Sequence, residues 1–268
     1  MLGDKMGKTI SVLSSKGGVG KTMVCVSLVD FLAQKDFRIT AVDADVGGPN
    51  FGKWFDNISD WDERRDVKVF PLPNRYKKCE DIKILCDGKK LPVELETRGN
   101  VLIKRKYTPS FANYSVNLVS GDIMKGKTGS GKVVEGTIKI SDEFDYDFRV
   151  MDSAPSTGYP SLTCIKYSDY AVIVIEATSL GFKNLKKIMK IVEVKGVKYG
   201  VVINMEDRNP EIAEQIKDYV GENYLGSLPY DEKIPLALKK SLPPTRLEGP
   251  SSKKLKDICE KVFTKIKI

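Results

Sequence analysis

The segment that most constrains this chain is Lys16-Gly17-Gly18-Val19-Gly20-Lys21-Thr22. It follows directly on a short β-prone run, Thr9 to Ser14. It opens Thr22 to Lys35, which is apolar nearly all round and reads as a buried helix. Arg38 to Asp43 reads as a second strand. Strand, glycine-rich loop, helix and strand in that order begin a parallel α/β sheet. The loop fits the phosphate-cradling pattern G-x-x-x-x-G-K-[ST], with Ser15 in the first glycine position and Gly20, Lys21 and Thr22 matching the rest. Glycines let main-chain N–H groups curl around phosphate oxygens, and the helix start offers its positive end to the anion. In this arrangement Lys21 is expected to reach the β- and γ-phosphates and the Thr22 hydroxyl to ligate Mg²⁺, and Met23 is counted with the loop among the nucleotide-binding residues.

The α/β rhythm breaks after about Gly52 and returns near Phe148. Between them lie Pro71, Pro73, many lysines and short β-prone pieces such as Asn100 to Ile103 and Ser115 to Val119. Residues 53–140 therefore read as an inserted β-rich subdomain, and residues 1–52 and 141–268 as the phosphate-loop domain. Beyond the insertion, Tyr170 to Ile175 reads as a fully buried strand and Leu180 to Glu193 as an amphipathic helix. Tyr199 to Ile203 is another strand, and Pro210 opens a helix over Glu211 to Val220. The expected fold is α/β, a doubly wound, mostly parallel sheet in a three-layer αβα arrangement, plus the insertion.

Composition excludes several chemistries. The chain has no histidine, so Ser-His-Asp and Cys-His nucleophile systems and His-ligated zinc are ruled out. Its five cysteines, Cys25, Cys79, Cys86, Cys164 and Cys259, form no C-x-x-C pair and read as free thiols in a reducing compartment. No apolar run approaches the ~20 residues that span a bilayer. A cytoplasmic location is expected. The net charge of +8 suits acidic partners, DNA or an anionic membrane surface among them, and suits a merely solvated surface equally.

Lys16 together with Gly17-Gly18 makes the loop K-G-G-V-G-K-T, which resembles the deviant Walker A motif of the MinD/ParA/nitrogenase-iron-protein family of P-loop ATPases. The resemblance implies that Lys16 reaches across a nucleotide-sandwich homodimer to the partner's phosphates. Val42-Asp43-Ala44-Asp45 resembles the family's D-x-D in the first switch region. Asp45 would then place the attacking water and Asp43 would lie near the magnesium. Val150-Met151-Asp152-Ser153-Ala154-Pro155-Ser156 resembles the Walker B and second-switch segment, with its glycine displaced to Gly158, and gives Asp152 a role at the metal. Ile203-Asn204 and Gly226-Ser227-Leu228-Pro229-Tyr230-Asp231 match the segments that border adenine, which implicates Asn204, Pro229, Tyr230 and Asp231. The implied ligands are ATP or ADP with Mg²⁺, the implied catalytic residues are Lys16, Lys21 and Asp45, and the implied output is to an unidentified protein partner. The subgroup it looks closest to is archaeal and carries an inserted ferredoxin domain. Here the insertion holds only Cys79 and Cys86, so no iron–sulfur cluster is expected.

Other readings stay open at this point: a ParA-like DNA-cargo ATPase, an iron–sulfur carrier, and a pseudo-ATPase that binds nucleotide without appreciable turnover. Gly126 to Val133 nearly repeats the phosphate-loop pattern, but Val133 lacks the magnesium hydroxyl and Val134 to Ile140 looks β-like. Trp54 and Trp61 read as exposed aromatics that offer a partner surface beside the first switch. The last helix, with Leu255, Ile258, Val262, Phe263 and Ile266, reads as a core helix in preference to a membrane anchor.

Overall fold

The computed structural model describes residues 7–56, 58, 60–69, 97–123 and 130–267. Cys79, Cys86, Pro71, Pro73 and the Gly126 to Gly129 part of the second glycine-rich segment lie outside the described residues.

The strands are β1 (Lys8–Leu13), β2 (Ile39–Ala44), β3 (Glu63–Val69), β4 (Thr97–Tyr107), β5 (Val116–Ile123), β6 (Phe148–Ser153), β7 (Tyr170–Glu176), β8 (Lys198–Asn204) and β9 (Tyr224–Leu228). They form one sheet in the order β3-β4-β5-β2-β6-β1-β7-β8-β9. From β5 to β9 every pairing is parallel, whereas β3 and β4 extend the edge antiparallel. Parallel strands covered on both faces must be apolar on both, and β2, β6 and the first six residues of β7 are buried at every position.

The helices are α1 (Lys21–Ala33), α2 (Ser130–Ser141), α3 (Tyr159–Lys166), α4 (Ser179–Val194), α5 (Pro210–Val220), α6 (Lys233–Lys239) and α7 (Pro250–Lys267). One apolar core joins α1 and α7 to one face of the sheet, and a second joins α2, α3, α4 and α5 to the other. In α1 the run Met23 to Val29 is buried, as expected of a helix that is apolar all round. Leu255, Ile258, Val262, Phe263 and Ile266 of α7 are buried, which makes α7 a core helix. Asp30, fully buried on α1, accepts hydrogen bonds from Tyr114 Oη (2.7 Å), Thr245 Oγ1 (2.5 Å) and Arg246 Nε (2.9 Å).

Three expectations need correction. Val134 to Ile140 is helical, inside α2. The buried positions Val133, Val134, Thr137, Ile138 and Ser141 of α2 repeat with the helical period, and that burial overrides the strand preference of its β-branched residues. Val116–Ile123, expected within an insertion, is an interior strand parallel to β2, and α2 is the crossover that returns the chain to β6. Trp54 is not an exposed aromatic: it is 5% exposed and packs in the core beside Phe51 and Phe55, while Trp61 is partly buried against the same core.

Candidate functional site

In the strand order, β1 lies between β6 and β7, so chain connections from it run to one side and those from β7 to the other. A reversal of this kind opens a crevice beyond the carboxyl ends of the strands. The glycine-rich loop leaves β1 into that crevice. Ser14 Oγ donates to Lys16 O at 3.1 Å at its entry. Gly18 and Gly20 hold positive φ of 80° and 92°, a region that side chains disfavour. At Gly20 space is short as well: an added Cβ would stand 2.6 Å from Asn204 Nδ2.

Lys21 and Thr22 open α1 and both donate to one carboxylate. Lys21 Nζ bonds Asp152 Oδ1, and Thr22 Oγ1 bonds Asp152 Oδ2 at 2.6 Å. Lys21 and Asp152 are both buried. Burial acts against the Lys21 ammonium, but the charge of Asp152 and its hydrogen bond outweigh it and raise the pKa.

Asp43 and Asp152 face each other across the β2–β6 register. Burial, reinforced by the charge of Asp152, pushes the Asp43 carboxyl up to about 8, against the Phe51 N–H that favours the charged form. Asp43 also folds the loop after β2. Its Oδ1 accepts from Asp45 N at 3.1 Å, and its Oδ2 accepts from Asn50 N at 2.8 Å and Phe51 N at 2.9 Å. Burial also pushes Asp45 up, to about 6, with Lys21 opposing and Asp152 adding to the shift.

At the far side, β8 ends on Asn204. Its Nδ2 donates to Val19 O at 3.0 Å, and its Oδ1 accepts from Met205 N at 3.0 Å. Asp207 Oδ1 accepts from Tyr230 N at 2.7 Å and so ties the turn after β8 to the turn after β9. The Arg208 guanidinium stands 5.2 Å from the Tyr230 ring centroid.

Together these elements enclose a cavity of about 490 Å³. Of the residues expected from sequence, Lys16, Gly17, Gly18, Gly20, Lys21, Thr22, Met23, Asp45, Asn204, Pro229, Tyr230 and Asp231 line it. Val19, Asp43 and Asp152 do not line it: all three are buried, Asp152 binds Lys21 and Thr22 from behind, and Asp43 pairs in register with Asp152. Sequence reasoning missed Asn50, Lys53, Trp54, Pro155, Met205, Ile234, Pro235 and Leu238, which also line the cavity. The apolar members of α6 carried a signal in Lys233-Ile234-Pro235-Leu236-Ala237-Leu238, a short run placed straight after the adenine-bordering segment.

Lys16 lies at the rim. Its side chain is 58% exposed, and Nζ bonds Glu176 Oε2 at the end of β7 at 3.0 Å. Leu180, 60% exposed, borders the same small cleft as Lys16 and Glu176.

Residues 10–244 match the model of the CobQ/CobB/MinD/ParA nucleotide binding domain. The chain belongs to that family. Among curated relatives, an uncharacterized protein of Methanocaldococcus jannaschii is 25% identical over 271 residues, covering 94% of this chain and 95% of that protein. An iron-sulfur cluster carrier protein of Pyrococcus furiosus is 26% identical over 282 residues, covering 96% of this chain and 86% of its own. Among solved structures, the septum site-determining protein MinD of Pyrococcus horikoshii, complexed with Mg-ADP, superposes with a TM-score of 0.65 at 19% identity over 98% of this chain and 99% of that one. The MinD/ParA-type P-loop fold expected from the sequence is therefore the fold of this chain. Among the described residues, no helix is long and apolar enough to cross a membrane.

Proposed function

We propose that this chain is a magnesium-dependent ATPase of low turnover that acts as a nucleotide-operated dimer switch for a protein partner. The observation that carries the reading is the shared carboxylate of Asp152, which holds Lys21 and the Thr22 hydroxyl together at the mouth of the glycine-rich loop. The site's donors are hard oxygens, as Mg²⁺ requires, and no group of three or more Asp, Glu, His or Cys among the described residues forms a metal cage of its own. That suits an ion bound jointly with phosphate and water, held by Thr22 with Asp152 and Asp43 behind it. When bound, Mg²⁺ supplies charge neutralisation at the β- and γ-phosphate oxygens.

In this reading Lys21 turns from Asp152 to the phosphates, and the loop N–H groups take the β-phosphate. Asn204, Pro229, Tyr230 and Asp231 border adenine. Asp45 holds the attacking water: its oxygen bonds to the γ-phosphorus, the bond to the β–γ bridging oxygen breaks, ADP leaves, and Asp45 accepts the proton. Lys16 leaves Glu176 and crosses to the second protomer's phosphates. The exposed Lys16 and Leu180 at one rim support that face as the dimer contact.

The reading carries no resident iron–sulfur cluster. Its support is the lack of any C-x-x-C pair in the sequence and the burial of Cys25, Cys164 and Cys259. Iron content and visible absorbance after anaerobic purification test this; stoichiometric iron would overturn it. A cytoplasmic location fits the same free thiols. DNA binding by the basic surface is the alternative, and it would show as ATP-dependent binding that weakens steeply with salt.

The deciding experiment pairs two variants. Lys21→Ala loses MgATP binding by calorimetry. Lys16→Ala keeps binding but loses ATP-dependent dimerisation and hydrolysis. Equal hydrolysis by the unsubstituted chain and Lys16→Ala would sink the sandwich mechanism.

A further inference from the structure

We propose that Lys53 and Trp54 are nucleotide-contacting residues: Lys53 supplies a further cation to the phosphate tail, and Trp54 packs against the same ligand. This rests on the nucleotide reading above and deepens it. The cavity has two chemically distinct ends. Lys16, Lys21 and the glycine-rich backbone make one end a site for an anion. Met205, Ile234, Pro235 and Leu238 make the other end apolar. A nucleoside di- or triphosphate, anionic at one end and apolar at the other, matches this lining.

Lys53 and Trp54 are consecutive and both line this cavity. They stand on a 3₁₀ turn, Phe51–Trp54, in which neighbouring side chains diverge by roughly 120°. One of the pair can therefore anchor while the other reaches. Trp54 is the anchor, packed into the core with one surface left to the cavity. Lys53 is the exposed member.

The position of the turn is fixed from the phosphate end. Asp43 Oδ2 binds the N–H groups of Asn50 and Phe51, and Lys53 N bonds Asn50 O at 3.2 Å. Lys53 Nζ donates to Asn50 Oδ1 at 2.7 Å. The ammonium is thus held by a residue that Asp43 anchors, and Asp43 faces Asp152, the partner of Lys21 and Thr22. Its holder is a neutral amide that takes one of the three ammonium N–H donors, so donors remain for an arriving phosphate oxygen. Because Asp43 ties the turn down, contact at Lys53 and contact at Trp54 are made by one rigid piece.

The test uses the full chain. Trp61→Phe leaves Trp54 as the single tryptophan of the two in the sequence. In that background the emission of Trp54 should change saturably with MgATP and with MgADP, with the dissociation constants found by calorimetry. Lys53→Ala should weaken MgATP binding on the order of tenfold, as expected for one charge-assisted hydrogen bond at an open site, and Lys53→Arg should restore most of it. AMP, which lacks the phosphate tail, should bind the Lys53→Ala and unsubstituted chains alike. An affinity change below twofold for Lys53→Ala, or an unmoved Trp54 emission while calorimetry records MgATP binding, overturns this inference alone. No MgATP binding by the unsubstituted chain overturns the nucleotide reading and this inference together.

Discussion

The side-chain amide of Asn204 donates to the main-chain carbonyl of Val19 at 3.0 Å, joining the end of β8 to the glycine-rich loop 185 residues earlier. Gly20 lies under that bond, with φ of 92° and no room for a Cβ beside Asn204 Nδ2. Gly20→Ala should therefore be penalised twice, by the left-handed backbone at about 1–2 kcal/mol and by the clash. Asn204→Ala should cost about 1–3 kcal/mol by leaving the buried Val19 carbonyl without this donor. Urea denaturation measures both, and an unchanged midpoint for Gly20→Ala would contradict the loop geometry.

Removing the charge of Asp152 strands a buried ammonium. Asp152→Asn should destabilise the chain without nucleotide by about 3–5 kcal/mol, the usual cost of removing one partner of a buried ion pair. Lys21→Met in the same background should recover part of the loss, since the stranded charge is then gone. A urea midpoint for Asp152→Asn equal to that of the unsubstituted chain would count against the pairing.

A second buried carboxylate holds α1 to the segment after α6. Asp30→Ala should lower stability by about 3 kcal/mol, because it frees Tyr114, Thr245 and Arg246 at once, with Arg246 partly open to water. A double-mutant cycle with Arg246→Ala should show coupling well above the fractions of a kcal/mol found for exposed pairs. Strict additivity would refute the node.

Burial pushes the Cys164 thiol up to about 12, and it raises Cys25 and Cys259 as well. Thiols held protonated and out of water react slowly. Iodoacetamide at pH 8 should leave these three unmodified in the native chain and alkylate them in urea, as read by peptide mass mapping. Native labelling of any of the three at the rate of an open thiol would contradict their placement.

Acid should expose one identifiable linkage. At Asp56 burial works to raise the pKa, but hydrogen bonds from the Ser110 and Tyr107 side chains and the Ser110 N–H win and lower it. A depressed folded-state pKa stabilises above the unfolded value of about 3.9, and the contribution is lost as pH falls through the folded value. The urea midpoint of the unsubstituted chain should thus fall more steeply below about pH 4 than that of Asp56→Asn. Asparagine tolerates the left-handed φ of 54° at this position, so backbone strain does not confuse the comparison. Parallel profiles would remove Asp56 from the account.

Much of the cavity's lining was legible in the sequence because the loop's signal is local. Lys16 to Thr22 are contiguous, and a glycine-rich loop between a strand and a helix has few other uses. Asp43, Asp45 and Asp152 were legible through the family resemblance of the segments that hold them. The second function of Asp43 was not legible, since binding the N–H groups of Asn50 and Phe51 depends on how the loop folds back. Trp54 differs from its sequence reading for a related reason: the loop that Asp43 folds back turns its side chain into the core.

The strand β5 and helix α2 mark the same boundary at the level of the fold. Val134 to Ile140 carries β-branched residues whose local preference is for strand, and its helical burial period becomes decisive only when β5 lies beside β2 and needs a covering crossover. What the sequence by itself determined was the glycine-rich loop and the class of fold: short contiguous motifs and buried apolar runs act through nearest neighbours along the chain. What only the tertiary structure decided was which distant residues complete the site, such as Glu176 on Lys16, Asn204 on the loop and Lys53 with Trp54 on the cavity wall. Those meetings depend on strand order and loop packing, long-range relations that no local pattern encodes.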